Sequence, residues 1–233
     1  MNVVVTGGAG TLATALRPYF PYALYATHAD LDVSNANSVN RFFSTHSADL
    51  VLHLAAATAY NSPVEALLQT NVIGTANIAR WALRSGARVL YTSTDYVFPG
   101  TKGMYVESDP VQPVGPYAAS KLGGEAAMAL LPNSLVVRGS WYTELAWERA
   151  ATDAFTSREP VASAAGKIAA LAQSTLTGVV HIAGRRRSFW ELVATEFNPR
   201  CTPVSKSELR LPYALPADSS LSDGRYRDFA RTH

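Results

Sequence analysis

Tyr117 and Lys121 stand four residues apart, directly after Pro116. Proline suits the first turn of a helix, so this spacing places the phenol and the amine on one helical face. A phenol beside an ammonium gives up its proton more readily, because the positive charge favours the phenolate. Upstream, Val89-Leu90-Tyr91-Thr92-Ser93-Thr94 is a β-branched and aromatic run that ends in hydroxyls. It reads as a buried parallel strand whose carboxyl end opens into a site. Thr94, at that end, would hold a carbonyl oxygen while Tyr117 protonates it. Such a trio suits hydride addition to a ketone, where negative charge develops on oxygen and must be met by a proton.

A Tyr-x-x-x-Lys spacing alone also fits an exposed helix face, and the start of the chain decides between the two. Asn2 to Val5 is a short apolar run leading into Thr6-Gly7-Gly8-Ala9-Gly10-Thr11-Leu12-Ala13. Strand, glycine turn and helix in that order form a dinucleotide-binding arrangement. Gly7 permits the tight turn, and Gly10 lets the backbone approach a pyrophosphate. The pyrophosphate would rest on the amino end of a helix opened by Thr11 and Leu12, where free N–H groups and the helix dipole favour anions. Ala13 takes the place where a third glycine is often found.

A second strand over 23–27 ends in Ala26-Thr27-His28-Ala29, without the acid that binds the ribose 2′-OH in NAD-selective sites. This favours NADPH over NADH, with Thr27 and His28 as the available donors. Asp32, followed by Val33, would accept from the adenine amino group. The third strand, over 49–54, ends in Ala55-Ala56-Ala57, small enough for a cofactor ribose to lie against the backbone. A helix over 63–85 contains Asn71 and stops at Gly86. Strands over 88–93 and 134–138 flank the helix of Tyr117. This β-α alternation predicts an α/β fold with a doubly wound parallel sheet and a site at the strands' carboxyl ends. Beyond Arg138 the pattern predicts helices over 145–157 and 161–173, a strand over 178–182 and a helix over 188–197. The proline-punctuated remainder reads as mostly irregular. Residues 1–142 form the expected dinucleotide-binding domain. Residues 143–233 form a small substrate lobe interleaved with it.

The 233 residues are 48% hydrophobic and 16% charged, which allows one core of good size. No apolar run reaches the roughly eighteen residues of a membrane helix, and the first residues lack a basic region and cleavage site, so a cytoplasmic protein is expected. Cys201 is the single cysteine, which excludes an internal disulfide and a cysteine metal cluster. A net charge of +2 gives no case for nucleic acid as a partner. The basic turn Arg185 to Arg187 would meet a diphosphate or face solvent.

Thr-Gly-Gly-Ala-Gly, Ser-Thr-Asp-Tyr-Val-Phe at 93–98 and Tyr-Ala-Ala-Ser-Lys-Leu-Gly-Gly-Glu at 117–125 occur in the order and spacing of the extended short-chain dehydrogenase/reductases. The chain resembles that family, and within it the dTDP-4-dehydrorhamnose reductase group, most strongly over 1–142. Asn71 to Asn77 and Val137 to Tyr142 also carry the resemblance. It implies a Rossmann-type sheet and a reductase passing hydride from NADPH or NADH to the C4 ketone of a nucleotide-linked 4-keto-6-deoxysugar, without a metal. Thr94, Tyr117 and Lys121 match the catalytic trio, with the lysine also bonding the nicotinamide ribose. The same resemblance puts Val33, Asn71 and Ser93 beside the cofactor, and Thr58, Tyr60, Thr94, Asp95 and Trp141 beside the sugar. The chain departs from the family in length, chiefly between Thr143 and Gly178, where a substrate lobe is built. Two further readings follow: an epimerase or dehydratase of the same superfamily, or a non-catalytic NADP-binding regulatory subunit, since the regulatory subunit of methionine adenosyltransferase resembles these reductases too. A homodimer is compatible with the sequence, which specifies no oligomeric state.

Overall fold

The computed structural model describes residues 1–58, 62–211 and 215–232. The chain begins β1 (Val3–Thr6), α1 (Thr11–Leu16), β2 (Leu24–Ala26), α2 (Ala36–Thr45), β3 (Leu50–His53). It continues α3 (Val64–Leu67), a π-helical turn (Leu68–Gly74), α4 (Thr75–Ser85), β4 (Arg88–Thr94), α5 (Gly115–Met128) and β5 (Leu135–Gly139). Four short strands follow: β6 (Trp141–Tyr142), β7 (Arg149–Ala151), β8 (Phe155–Thr156) and β9 (Glu159–Pro160). The last part holds α6 (Val161–Ala172), β10 (Gly178–His181), β11 (Arg187–Ser188), α7 (Phe189–Glu196), β12 (Thr202–Val204) and α8 (Gly224–Thr232).

The apolar runs become strands because both of their faces are covered. Val4, Val51, Val89, Tyr91 and Val136 pack against Val39 and Phe42 of α2, Ile78 and Ala82 of α4 and Met128 of α5. Their neighbours Val5, Leu50, Leu52, Leu90, Leu135 and Val137 point the other way, onto Leu12 and Leu16 of α1 and Ile168 and Leu171 of α6. Successive strand side chains alternate between faces, so a sheet buried on both sides needs apolar residues without interruption. The sheet order is β2-β1-β3-β4-β5-β10, all pairs parallel, as a doubly wound fold requires. Chain direction across the sheet reverses between β1 and β3, and their carboxyl ends form the crevice where such folds bind ligands. The sixth strand and α6 come from beyond residue 142, so the later third of the chain completes the main sheet.

Three expectations are corrected. The alanine-rich stretch 145–157 is not a helix: β7 pairs with β12, β8 pairs with β11, and Ala150, Ala151 and Ala154 pack beneath Phe189, Leu192 and Val193. Strand partners and a close-packed helix α7 outweigh alanine's helix propensity. The helix over 63–85 is interrupted by the π-helical turn, where Gly74 closes on Val33; a Cβ there would lie 2.8 Å from the Val33 Cγ2. The tail, expected to be mostly irregular, contains α8, a charged helix that packs Tyr226 and Phe229 against the core and is tied to the sheet by Arg225 donating to the Thr177 carbonyl at 2.9 Å and to that of Val179.

Candidate active site

The glycine turn is shaped by its neighbours. Gly7 has φ +69°, and a Cβ there would lie 2.9 Å from the Ala55 backbone. Gly8 approaches β2 even more closely, with a Cβ 2.5 Å from the Tyr25 carbonyl carbon. Gly8 thus carries a packing constraint that the spacing argument did not assign. Gly10, exposed, caps α1 without a side-chain bond, and the first helical bond runs from the Thr14 N–H to the Gly10 carbonyl. Helical hydrogen bonding therefore leaves the opening N–H groups of α1 facing the crevice.

Behind the turn, Thr6 is fully buried and its hydroxyl accepts from the N–H groups of Leu54 at 3.2 Å and Ala55 at 3.1 Å. The remaining proton of that hydroxyl goes to His53 Nδ1, 2.7 Å away, so the His53 Nε2–H donates to the Thr75 hydroxyl at 3.1 Å. Burial, with help from the Lys121 charge, holds the imidazole down at about 3 against an ordinary 6.5. Between about pH 3 and 6.5 the unfolded chain therefore binds up to one more proton than the folded one. Stability from this group is complete above pH 6.5 and is lost as pH falls toward about 3. Urea unfolding at pH 7 and pH 5 is expected to differ by about 2 kcal/mol on this account. His53→Gln should flatten that difference, and an equally steep slope in the variant would assign the proton to another group.

A cleft of about 590 Å³ opens above these strand ends. Its wall gathers Gly7, Gly10, Thr11, Leu12, His28, Ala55 and Ala56 from the dinucleotide side. Thr58, Ser93, Thr94, Asp95, Tyr117, Lys121 and Trp141 line the other part. Six separate stretches of sequence thus meet. Ser93 Oγ is buried in this wall with no hydrogen-bond partner among the described residues. The Thr94 hydroxyl ends β4, donating to Asp95 Oδ1 at 3.2 Å and accepting from the Tyr96 N–H at 3.3 Å. Asp95 is 2% exposed; burial raises its pKa, against Arg158, Ser219 and Thr94, and Ser219 donates to it at 2.8 Å. Pro116 and Gly115 start α5, which brings half-buried Tyr117 and buried Lys121 to the same cleft. Burial lowers Lys121 to about 7, with Glu125 acting in the opposite direction.

Other expected residues do structural work outside the cleft lining. Asn71 accepts from the Ala57 N–H at 2.8 Å and donates to the Ala57 carbonyl at 3.0 Å and to Ser120 Oγ at 2.8 Å, so it and Ala57 join the loop after β3 to α5. Val33 is core, and Asp32 caps its own turn by accepting from the Ser34 N–H and hydroxyl. The Thr27 hydroxyl donates to Asp30 at 2.7 Å, and this bond and the Thr27 N–H keep the Asp30 carboxyl below its ordinary range. The end of β2 is therefore not free of carboxylate, because Asp30 folds back on it. Tyr60 lies outside the described residues. Arg185, Arg186 and Arg187 are each committed to an acid, Glu191, Asp218 and Glu196 respectively, and none lines the cleft.

Tyr96 and Arg158 were not singled out in the sequence. They line both the main cleft and an adjoining apolar pocket of about 350 Å³ walled by Trp147, Phe189 and Leu209. Arg158 donates to the Tyr96 hydroxyl at 3.3 Å and lies 5.3 Å from the centre of the Phe189 ring. Tyr96, two residues after Thr94, was within reach of a motif argument; Arg158 lies in a stretch with no local signal.

Strand order, glycine turn and crevice define the Rossmann-type α/β class. Residues 1–148 match the family described as RmlD substrate binding domain, and the chain belongs to that family. A dTDP-4-dehydrorhamnose reductase of Aggregatibacter actinomycetemcomitans is 31% identical over 150 residues, covering 60% of this chain and 51% of its own. Methionine adenosyltransferase 2 subunit beta of Mus musculus is 29% identical over 148 residues, 58% of this chain and 44% of its own. The chain spans about half the length of the curated relatives it matches. The crystal structure of a dTDP-4-dehydrorhamnose reductase from Bacillus anthracis in complex with NADP superposes with a TM-score of 0.88 at 25% identity, over 98% of this chain and 93% of that one.

Proposed function

We propose that this chain reduces the C4 ketone of a nucleotide-linked 4-keto-6-deoxysugar, using NADPH or NADH, with Tyr117 as the proton donor. The observation that supports it most is the meeting of Thr94, Tyr117 and Lys121 with the glycine turn in one cleft. The residues fit a dinucleotide: a glycine turn without side chains, the opening N–H groups of α1 and the unpartnered Ser93 hydroxyl suit its phosphates and sugars. Bound there, the nicotinamide supplies the hydride.

The protein's own residues do the rest. Thr94 donates to the carbonyl oxygen, exchanging its bond to Asp95 for one to substrate. Tyr117 delivers the proton as negative charge grows on that oxygen. Lys121, as an ammonium, lowers the cost of forming the phenolate and bonds the ribose. Trp141 and Thr58 border the sugar. The nucleotide end extends past Tyr96 and Arg158 into the apolar pocket of the 143–233 lobe. The relatives named as reductases, and the complex of one of them with NADP, support this reading.

Purified protein is expected to consume NADPH or NADH in the presence of a dTDP-4-keto-6-deoxysugar. Cofactor binding with no turnover on any such sugar would overturn the reductase and favour a regulatory subunit.

A further inference from the structure

Lys121 is 3% exposed, a position where loss of hydration works against its charge. Two groups outside the cleft lining oppose that loss. The Lys121 Nζ lies 4.1 Å from the centre of the Tyr91 ring, within the range of a cation–π contact. Glu125 follows one turn later on α5 and is itself fixed, with Arg138 Nε donating at 3.0 and 3.2 Å and Nη2 at 2.7 Å. The ring is equally constrained. Its hydroxyl donates to the Lys121 carbonyl at 3.3 Å and occupies the space above Gly124, where a Cβ would lie 2.3 Å from it.

The other titratable groups around this point are His53 from β3, held neutral by burial, Tyr117 on α5 itself, and Asp95 following β4. From β5 comes Arg138, whose charge is matched by Glu125. We propose that Tyr91 and Glu125 are positioning residues that hold Lys121 as an ammonium beside Tyr117, the ring by its face and the carboxylate from the next helical turn. The inference deepens the reading of Lys121 as partner of the proton donor and rests on it. With burial drawing Lys121 to about 7, removal of either support tilts it further toward the neutral amine.

The direct test is an NMR titration of protein carrying ε-¹³C lysine, practicable because the chain has 4 lysines. Lys121→Met identifies the signal. Tyr91→Leu is expected to lower the Lys121 midpoint by about one pH unit, whereas Tyr91→Phe, which keeps the ring, leaves it in place. Glu125→Gln lowers it as well. Should that variant not fold, Glu125→Asp, which draws the carboxylate back by one methylene, is expected to move the midpoint by less in the same direction. In the active enzyme the alkaline limb of kcat/KM moves down with the midpoint. A wild-type midpoint in Tyr91→Leu, or a shift in Tyr91→Phe as large as in Tyr91→Leu, overturns the role of the ring. An unshifted midpoint in the Glu125 variants overturns that of the carboxylate. The titration needs no turnover, so it decides the seat of Lys121 even if the proposed sugar reduction fails.

Discussion

Tyr117→Phe is expected to lower kcat about 10²–10⁴-fold, the usual contribution of a positioned proton donor. The substitution removes one oxygen and leaves the ring on α5, so the cleft keeps its shape. Lys121 and the glycine turn also remain, so cofactor affinity should stay within about twofold. If the hydroxyl acts only as charge develops on the ketone oxygen, kcat and kcat/KM fall together and KM holds. Steady-state kinetics beside a cofactor titration by protein fluorescence separates these quantities. Undiminished turnover would remove Tyr117 from the chemistry and with it the mechanism. A rise in KM at constant kcat would make the phenol a binding group.

Arg138→Leu should produce the largest loss of stability. Arg138 and Glu125 are 6% and 7% exposed, and they form three hydrogen bonds between β5 and α5. The guanidinium also lies 5.1 Å from the centre of the Phe98 ring. Removing one member of a buried pair strands the other charge in the interior, at a cost of about 3–5 kcal/mol. For a domain of this size that corresponds to a fall in Tm of roughly 10 °C. Replacing both members by apolar residues should recover much of the loss, because the stranded charge is what costs most. Thermal unfolding of the single and double variants measures both. A single variant within about 1 kcal/mol of wild type would show that water reaches Glu125 and that the pair is not effectively buried.

Much of the fold was written in local pattern. Val3 to Val5, Leu50 to Leu52 and Val89 to Tyr91 are strands because uninterrupted apolar runs satisfy a sheet covered on both faces. Gly7 and Gly10 mark the turn, and Pro116 marks the start of the helix that places Tyr117 and Lys121 on one face. These features depend on backbone freedom and side-chain period, which act over a few residues. The strand pairings of 149–156 were illegible for the opposite reason: their partners lie at 187–188 and 202–204, and alanine by itself favours a helix.

The same division runs through the site. Sequence alone determined the chemical types and their spacing: hydroxyls at a strand end, a phenol four residues before an amine, glycines between strand and helix. Tertiary structure decided which side chains reach the cleft. Asn71 turns to the Ala57 backbone, Arg185 to Arg187 turn to acids, and Arg158 arrives from a stretch without a motif. It also drew Lys121 down to about 7, because burial and a neighbouring carboxylate act through space and depend on what the fold brings within a few ångströms.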